Sequence, residues 1–142
     1  MTRYLLDTNI LSEATKPTPS PAVAAWLTAQ SDADLFIATL TLGELKRGIL
    51  ALPASRKRTE LEHWFDGPIG PQSLFAGRIL PFDTQASLTW ATLMADGRST
   101  GQPRSPLDMV IAATAITNGC TIVTLNDRDF RGLAPFNPGA AA

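Results

Sequence analysis

The sequence predicts an α/β fold, with a central, mainly parallel sheet flanked by helices on both faces as a three-layer sandwich. Residues 4–6, 34–38 and 121–125 are apolar runs with little polar alternation, the pattern of strands covered on both faces. Segments with helical spacing separate these runs, and strand–helix alternation favours parallel connections. The first run ends abruptly in Asp7-Thr8-Asn9. In open α/β sheets ligands bind at the carboxyl ends of strands, so Asp7 stands where chemistry is expected. Asp7 reads equally well as the cap of the next helix, which Asp does well.

Each element has its own local reason. Ile10, Leu11 and Ala14 begin a helical spacing that three prolines, Pro17, Pro19 and Pro21, cannot continue. Ser20-Pro21 supplies a cap and a first helical residue for Val23, Ala24, Trp26 and Leu27. After the second strand, Leu42, Leu45, Ile49 and Leu52 form one apolar stripe, with Glu44 off it. Residues 54–66 read as a charged helix with Leu61, Trp64 and Phe65 inward and His63 on the polar side. Gly67 to Pro71 form a turn. Residues 79–82 form a short strand, which Pro81 restricts to an edge or a strand end. Residues 84–96 predict a helix with Leu88, Trp90, Ala91, Leu93 and Met94 in the core. A polar loop, residues 97–106, leads to an apolar helix over 109–116, stopped by Asn118-Gly119 before the last strand.

Composition bounds the class. A chain of 142 residues, 44% hydrophobic and 18% charged, fits one globular domain with a real core. No apolar run reaches the length of a membrane span, and no basic region with a hydrophobic signal core opens the chain. The single cysteine, Cys120, excludes an intramolecular disulfide and suits a reducing cytoplasm, the expected location. Five basic residues, Lys46, Arg47, Arg56, Lys57 and Arg58, fall within one short stretch. They suit either a solvated helix surface or a basic rim around an acidic pit.

That pit is the central expectation. Thr41-Leu42-Gly43-Glu44 and Ser105-Pro106-Leu107-Asp108 both have capping-box spacing, so each acid can be explained locally. Both also begin helices that leave the sheet edge where Asp7 sits, and Asn126-Asp127-Arg128-Asp129 follows the last strand directly. Four segments thus bring carboxylates to one edge. Crowded carboxylates raise one another's pKa values unless cations neutralise them. Oxygen donors without nearby His or Cys suit Mg²⁺ or Mn²⁺, and metal-dependent phosphodiester hydrolysis is the chemistry such a pit supports.

Leu6-Asp7-Thr8-Asn9, Thr41 to Leu45, Pro106-Leu107-Asp108 with Ile111 to Ala115, and Val123 to Phe130 resemble the successive signatures of a PIN domain. More narrowly, the chain resembles the VapC and FitB toxin ribonucleases, with residues 75–83 particularly FitB-like. The likeness runs from Leu5 to about Pro138, implying a single PIN-like domain over 1–142 with 136–142 as a C-terminal tail. The resemblance implies a Mg²⁺- or Mn²⁺-dependent endoribonuclease, the toxin of a type II toxin–antitoxin system. Asp7, Glu44 and Asp108 match the family's main acids. For the fourth, Asp129 is favoured over Asp127, with Asn126 as a polar helper. Thr8, Asn9 and Thr124 would orient ligands or waters, and Arg47 would contact RNA or antitoxin. The resemblance also implies a homodimer, larger toxin–antitoxin assemblies, and operator DNA contacted only through the antitoxin. Two alternatives stand beside it. One is a catalytically weak PIN domain serving mainly as a repressor partner. The other is a phosphatase of the haloacid dehalogenase type, whose second acid would fall where this chain has Asn9.

Overall fold

A computed structural model describes residues 2–140. Strand β1 (Arg3–Leu6) pairs in parallel with β2 (Leu35–Ala38) and β4 (Cys120–Val123), and β2 pairs in parallel with β3 (Ile79–Leu80). The order is β3-β2-β1-β4. Alternate side chains point to opposite faces. Leu5, Phe36, Ala38 and Ile122 enter one core with helices α6 (Thr84–Ser99) and α7 (Pro106–Thr117). Leu6, Leu35, Ile37 and Val123 enter the other with Ile10 of α1 (Thr8–Glu13) and Val23 of α2 (Pro21–Ala29). Covering both faces explains why the strand sequences lack polar alternation, and why the layers number three. Leu5 and Leu6 are fully enclosed, each worth about 1.5–3 kcal/mol relative to exposure.

Helix α3 (Thr39–Leu50) follows β2 without a loop. Its Leu45 and Ile49 pack on Phe65 of α4 (Arg56–Asp66), forming a smaller third core. Helix α4 is a separate element: Ser55 caps it by accepting from Arg58 N–H, two residues after Pro53. Gly70-Pro71, the end of the expected turn, opens a one-turn helix, α5 (Pro71–Leu74). The local signal matches that of Ser20-Pro21, where Ser20 accepts from Val23 N–H as expected.

The inward face of α6 differs from the expected one. Ala86, Leu93 and Gly97 are buried and Trp90 and Met94 half-buried, whereas Leu88 is 62% exposed and Ala91 exposed. Residues 86, 90, 93 and 97 keep one helical face, which Leu88 and Ala91 leave. The indole of Trp90 donates to Pro106 O at 3.0 Å, tying α6 to the start of α7. A Cβ on Gly97 would lie 3.0 Å from Arg104 Cγ and from Gln102 O, so glycine permits the close approach of the α6–α7 loop.

Both sheet edges are short. β3 has two residues and is followed by Pro81. Beyond β4, Phe136 makes an isolated parallel bridge with Val123. Its N–H donates to Ile122 O at 2.8 Å, and its carbonyl accepts from Thr124 N–H at 2.9 Å. Its ring packs 5.4 Å from that of Trp26. Phe136 is the first residue of the segment expected as a tail. Among the described residues no helix is long and apolar enough to cross a membrane.

Candidate acidic site at the carboxyl edge of the sheet

Asp7 leaves β1 with its backbone still tied to the sheet, its N–H donating to Val123 O at 2.8 Å. Its two carboxylate oxygens have different partners. Oδ1 accepts from Thr8 N–H at 2.8 Å, the capping bond of α1, and Oδ2 accepts from Thr124 Oγ1 at 2.9 Å. The cap and the site therefore coexist in one side chain.

Glu44 is not held by its own helix. α3 begins at Thr39 with Ala38 in the cap position, so Thr41 lies within the first turn and cannot act as the hydroxyl of a capping box. Thr41 Oγ1 is buried with no hydrogen-bond partner among the described residues. Glu44 Oε1 instead accepts from Thr8 Oγ1 at 2.6 Å, across to α1. At α7 the expected half of the box forms, with Ser105 Oγ accepting from Asp108 N–H at 3.3 Å. Asp129 sits in a 3-10 turn, Asp127–Phe130, anchored by fully buried Phe130.

Asp7, Glu44, Asp108 and Asp129 line one pocket of about 310 Å³, together with Thr8, Asn9 and Asn126. Burial pushes the Asp7 carboxyl up to about 6; its hydrogen bonds from Thr124 and Thr8 oppose the rise, and the charges of Asp108 and Glu44 add to it. Burial also holds Asp108 above the usual carboxylate range, reinforced by Asp129 and Glu44 and opposed by Ser105. The donors are all oxygen. His63 is exposed on α4 and Cys120 stands at the start of β4, so neither lines the pocket. Burial pushes the Cys120 thiol up, as suits an inert side chain. This set fits a hard cation. Among the described residues no three acidic, His or Cys side chains converge tightly enough to hold one ion directly.

Thr124 organises the floor. Fully buried, its hydroxyl donates to Asp7 and accepts from Asn126 N–H at 3.0 Å and from Asn9 Nδ2 at 3.3 Å. Asn9 Oδ1 accepts in turn from Leu125 N–H at 3.1 Å. Asp127 does not line the acidic pocket; its carboxylate accepts from Asn137 Nδ2 at 3.2 Å. Arg47 is exposed near the end of α3, outside the pocket lining.

Several neighbours of the acids were not expected from the sequence. Glu13 also lines the pocket, but Lys16 bonds it at 2.8 Å and Ser20 N–H at 2.9 Å, holding its carboxyl below the usual range. Its spacing to Lys16 was the available signal. The clustered cations Lys46, Arg47, Arg56, Lys57 and Arg58 contribute none of the pocket lining. Instead Arg104, Arg128 and Arg131 line an adjoining cavity that shares Asp108 and Asp129. Spread over two loops, they form no run a composition scan would register.

The sequence model of the PIN domain family matches residues 4–134. The chain belongs to the PIN domain family. This PIN domain is 39% identical over 136 residues to VapC ribonuclease Y4jK of Sinorhizobium fredii, covering 94% of this chain and 96% of that one. It is 35% identical to toxin FitB of Neisseria gonorrhoeae, with the same coverage. A solved structure of FitAB bound to an IR36 DNA fragment superposes with a TM-score of 0.90 at 33% identity, covering 98% of this chain and 97% of that one. The four-stranded parallel sheet with helices on both faces is the PIN fold. Membership in this family disfavours the phosphatase alternative, and Asn9 is committed to Thr124 and Leu125.

Proposed function

We propose that this PIN domain is a Mg²⁺- or Mn²⁺-dependent endoribonuclease, the toxin of a type II toxin–antitoxin pair. The observation that carries the reading is the meeting of Asp7, Glu44, Asp108 and Asp129, from four separate segments, around one pocket at the carboxyl edge of the sheet. The names of its relatives, a VapC ribonuclease and toxin FitB, support the class.

Asp7, Glu44, Asp108 and Asp129 would hold the cation, in part through water, because Mg²⁺ takes one or two carboxylates directly and keeps several waters. When bound, such an ion supplies charge neutralisation at the phosphodiester and activation of the attacking water. The chain's own residues supply positioning. Thr124 and the Thr8 N–H fix the two oxygens of Asp7, and the Thr8 hydroxyl fixes Glu44. Asn9 and Asn126 hold Thr124 in the orientation in which it donates to Asp7. The proposed attack by water breaks the P–O3′ bond, so the products carry a 5′-phosphate and a 3′-hydroxyl. The proposal extends to a cytoplasmic homodimer and to a cognate antitoxin that blocks the site and alone reads operator DNA.

The test is incubation of purified, antitoxin-free protein with end-labelled structured RNA. Cleavage in Mg²⁺ that stops with EDTA and in Asp7→Asn is expected. Cleavage that survives EDTA, or is undiminished in Asp7→Asn, overturns the metal mechanism. No cleavage at all, with antitoxin binding intact, favours the weak-domain alternative.

A further inference from the structure

We infer that the cavity lined by Arg104, Arg128 and Arg131 is a subsite for the RNA phosphate next to the one cleaved, an inference that rests on the nuclease reading above. The cavity measures about 270 Å³ and shares Asp108 and Asp129 with the acidic pocket, so whatever fills it lies beside the reacting centre.

The three guanidinium groups are the reason to expect an anion there. Among the described residues none of them lies within ion-pair distance of a carboxylate; the ion pairs found are Lys16–Glu13 and Arg58–Glu62. Arg104 is not a freely solvated side chain. Its stem packs on Gly97, and its guanidinium donates to Leu93 O at 3.3 Å and to Arg131 O at 3.5 Å. Those bonds leave further N–H donors of the planar fork free, already oriented. Such a fork matches two phosphate oxygens, and holding it in advance reduces the ordering cost of binding.

A polynucleotide is the anion that fits two adjoining sites of opposite character. One phosphate meets the acidic pocket with its cation, and the neighbouring phosphate meets the arginines. A free phosphate could satisfy the arginines but would gain nothing from the acidic side. Backbone contacts of this kind position a strand without reading its sequence.

The experiment compares Arg128→Gln/Arg131→Gln with Arg56→Gln/Lys57→Gln, whose residues line neither polar cavity. All four residues are exposed, and thermal melts verify that each variant folds. Binding of a labelled single-stranded RNA is followed by anisotropy in Ca²⁺ across a salt series, with cleavage in Mg²⁺ run in parallel. The Arg128/Arg131 variant is expected to bind about tenfold more weakly, and its log–log salt slope to be shallower by about 1.4, the loss of two single-strand phosphate contacts. One neutral methylphosphonate linkage, walked along the RNA, should weaken the wild type at a position beside the cut and leave the Arg128/Arg131 variant unaffected. Equal behaviour of the two variants overturns the subsite while normal cleavage leaves the nuclease reading standing. RNA that fails to bind the wild type overturns it too. Displacement of RNA by inorganic phosphate at equal phosphate concentration reduces the cavity to a general anion site and also overturns it. Absent metal-dependent cleavage instead removes the reading beneath it.

Discussion

Thr124 and Asp7 are 117 positions apart in the chain and 2.9 Å apart in the fold, the buried threonine hydroxyl donating to Oδ2 of the carboxylate. That oxygen would otherwise be a desolvated acceptor beside two other negative charges. Thr124→Val keeps the shape and removes the donor, leaving Asp7, Asn9 and Asn126 without their shared partner. We expect a loss of about 1–3 kcal/mol in unfolding free energy and a further rise of the Asp7 pKa. Thr124→Ser should restore most of both. Chemical denaturation and carboxyl NMR titration check the pair; a neutral Thr124→Val would remove the organising role of this hydroxyl.

The raised Asp7 pKa fixes the sign of a pH effect. The folded chain keeps this proton up to about pH 6, whereas the unfolded chain releases it near 3.8. Between those values the folded state binds more protons, so stability falls as pH rises through the window and does not recover above it. Holding the proton over that whole window is worth at most about 3 kcal/mol. Asp7→Asn should therefore raise the stability of the metal-free protein at pH 7.5 by about 1–3 kcal/mol, or roughly 2–10 °C in Tm, with the gain vanishing near pH 4. Glu13 works in the opposite direction, its contribution being lost as pH falls through its lowered pKa, so variant and wild type are compared at each pH. A gain that is independent of pH would contradict the assignment.

Cations should reverse the same penalty. Mg²⁺ or Mn²⁺ at about a hundred times its Kd should stabilise the free wild-type protein by about 2.7 kcal/mol. In Asp7→Asn and Asp108→Asn that increment should shrink. Scanning fluorimetry against EDTA reads it, and no shift at millimolar metal would count against the site.

Thr8→Val separates positioning from folding. The lost bond, Thr8 Oγ1 to Glu44 Oε1, joins α1 to α3 at the rim of the pocket. Cleavage should slow about 10- to 100-fold through kcat, while Tm and KM change little. A variant with normal kcat would show that Glu44 needs no such orientation.

Thr41→Val should do the reverse. A buried hydroxyl without a partner is a standing cost, so an isosteric methyl is expected to add about 1 kcal/mol of stability and leave cleavage untouched. Destabilisation would reveal a partner for that hydroxyl.

The sheet and the four acids at its carboxyl edge were legible because a strand end or a helix start announces each of them locally. Leu5, Leu6, Ile37 and Val123 are apolar on both faces, and Asp7 ends its run. Ser105 predicted its own cap correctly. Thr41 and Glu44 had the same spacing and a different outcome, because the helix there starts directly from β2 and swallows the would-be cap. That depends on how the strand ends, which spacing does not encode. Leu88 misled for a related reason: hydrophobicity alone does not choose between two neighbouring helical faces. Arg104, Arg128 and Arg131 were not legible, since only the approach of the α6–α7 loop over Gly97 to the turn after β4 brings them together.

The bridge between Phe136 and Val123 has a consequence for how this molecule can meet others. Unsatisfied strand borders are templates on which a second polypeptide can add itself as another strand. Here one border is two residues long and abuts Pro81, and the other is already stitched by the backbone of residue 136. A strand added at one flank would find only two residues before Pro81, and at the other it would compete with the backbone of residue 136, so both borders offer a poor template. Cutting the chain ahead of Phe136 would reopen one flank, and the shortened protein should self-associate at concentrations where the longer one stays dispersed.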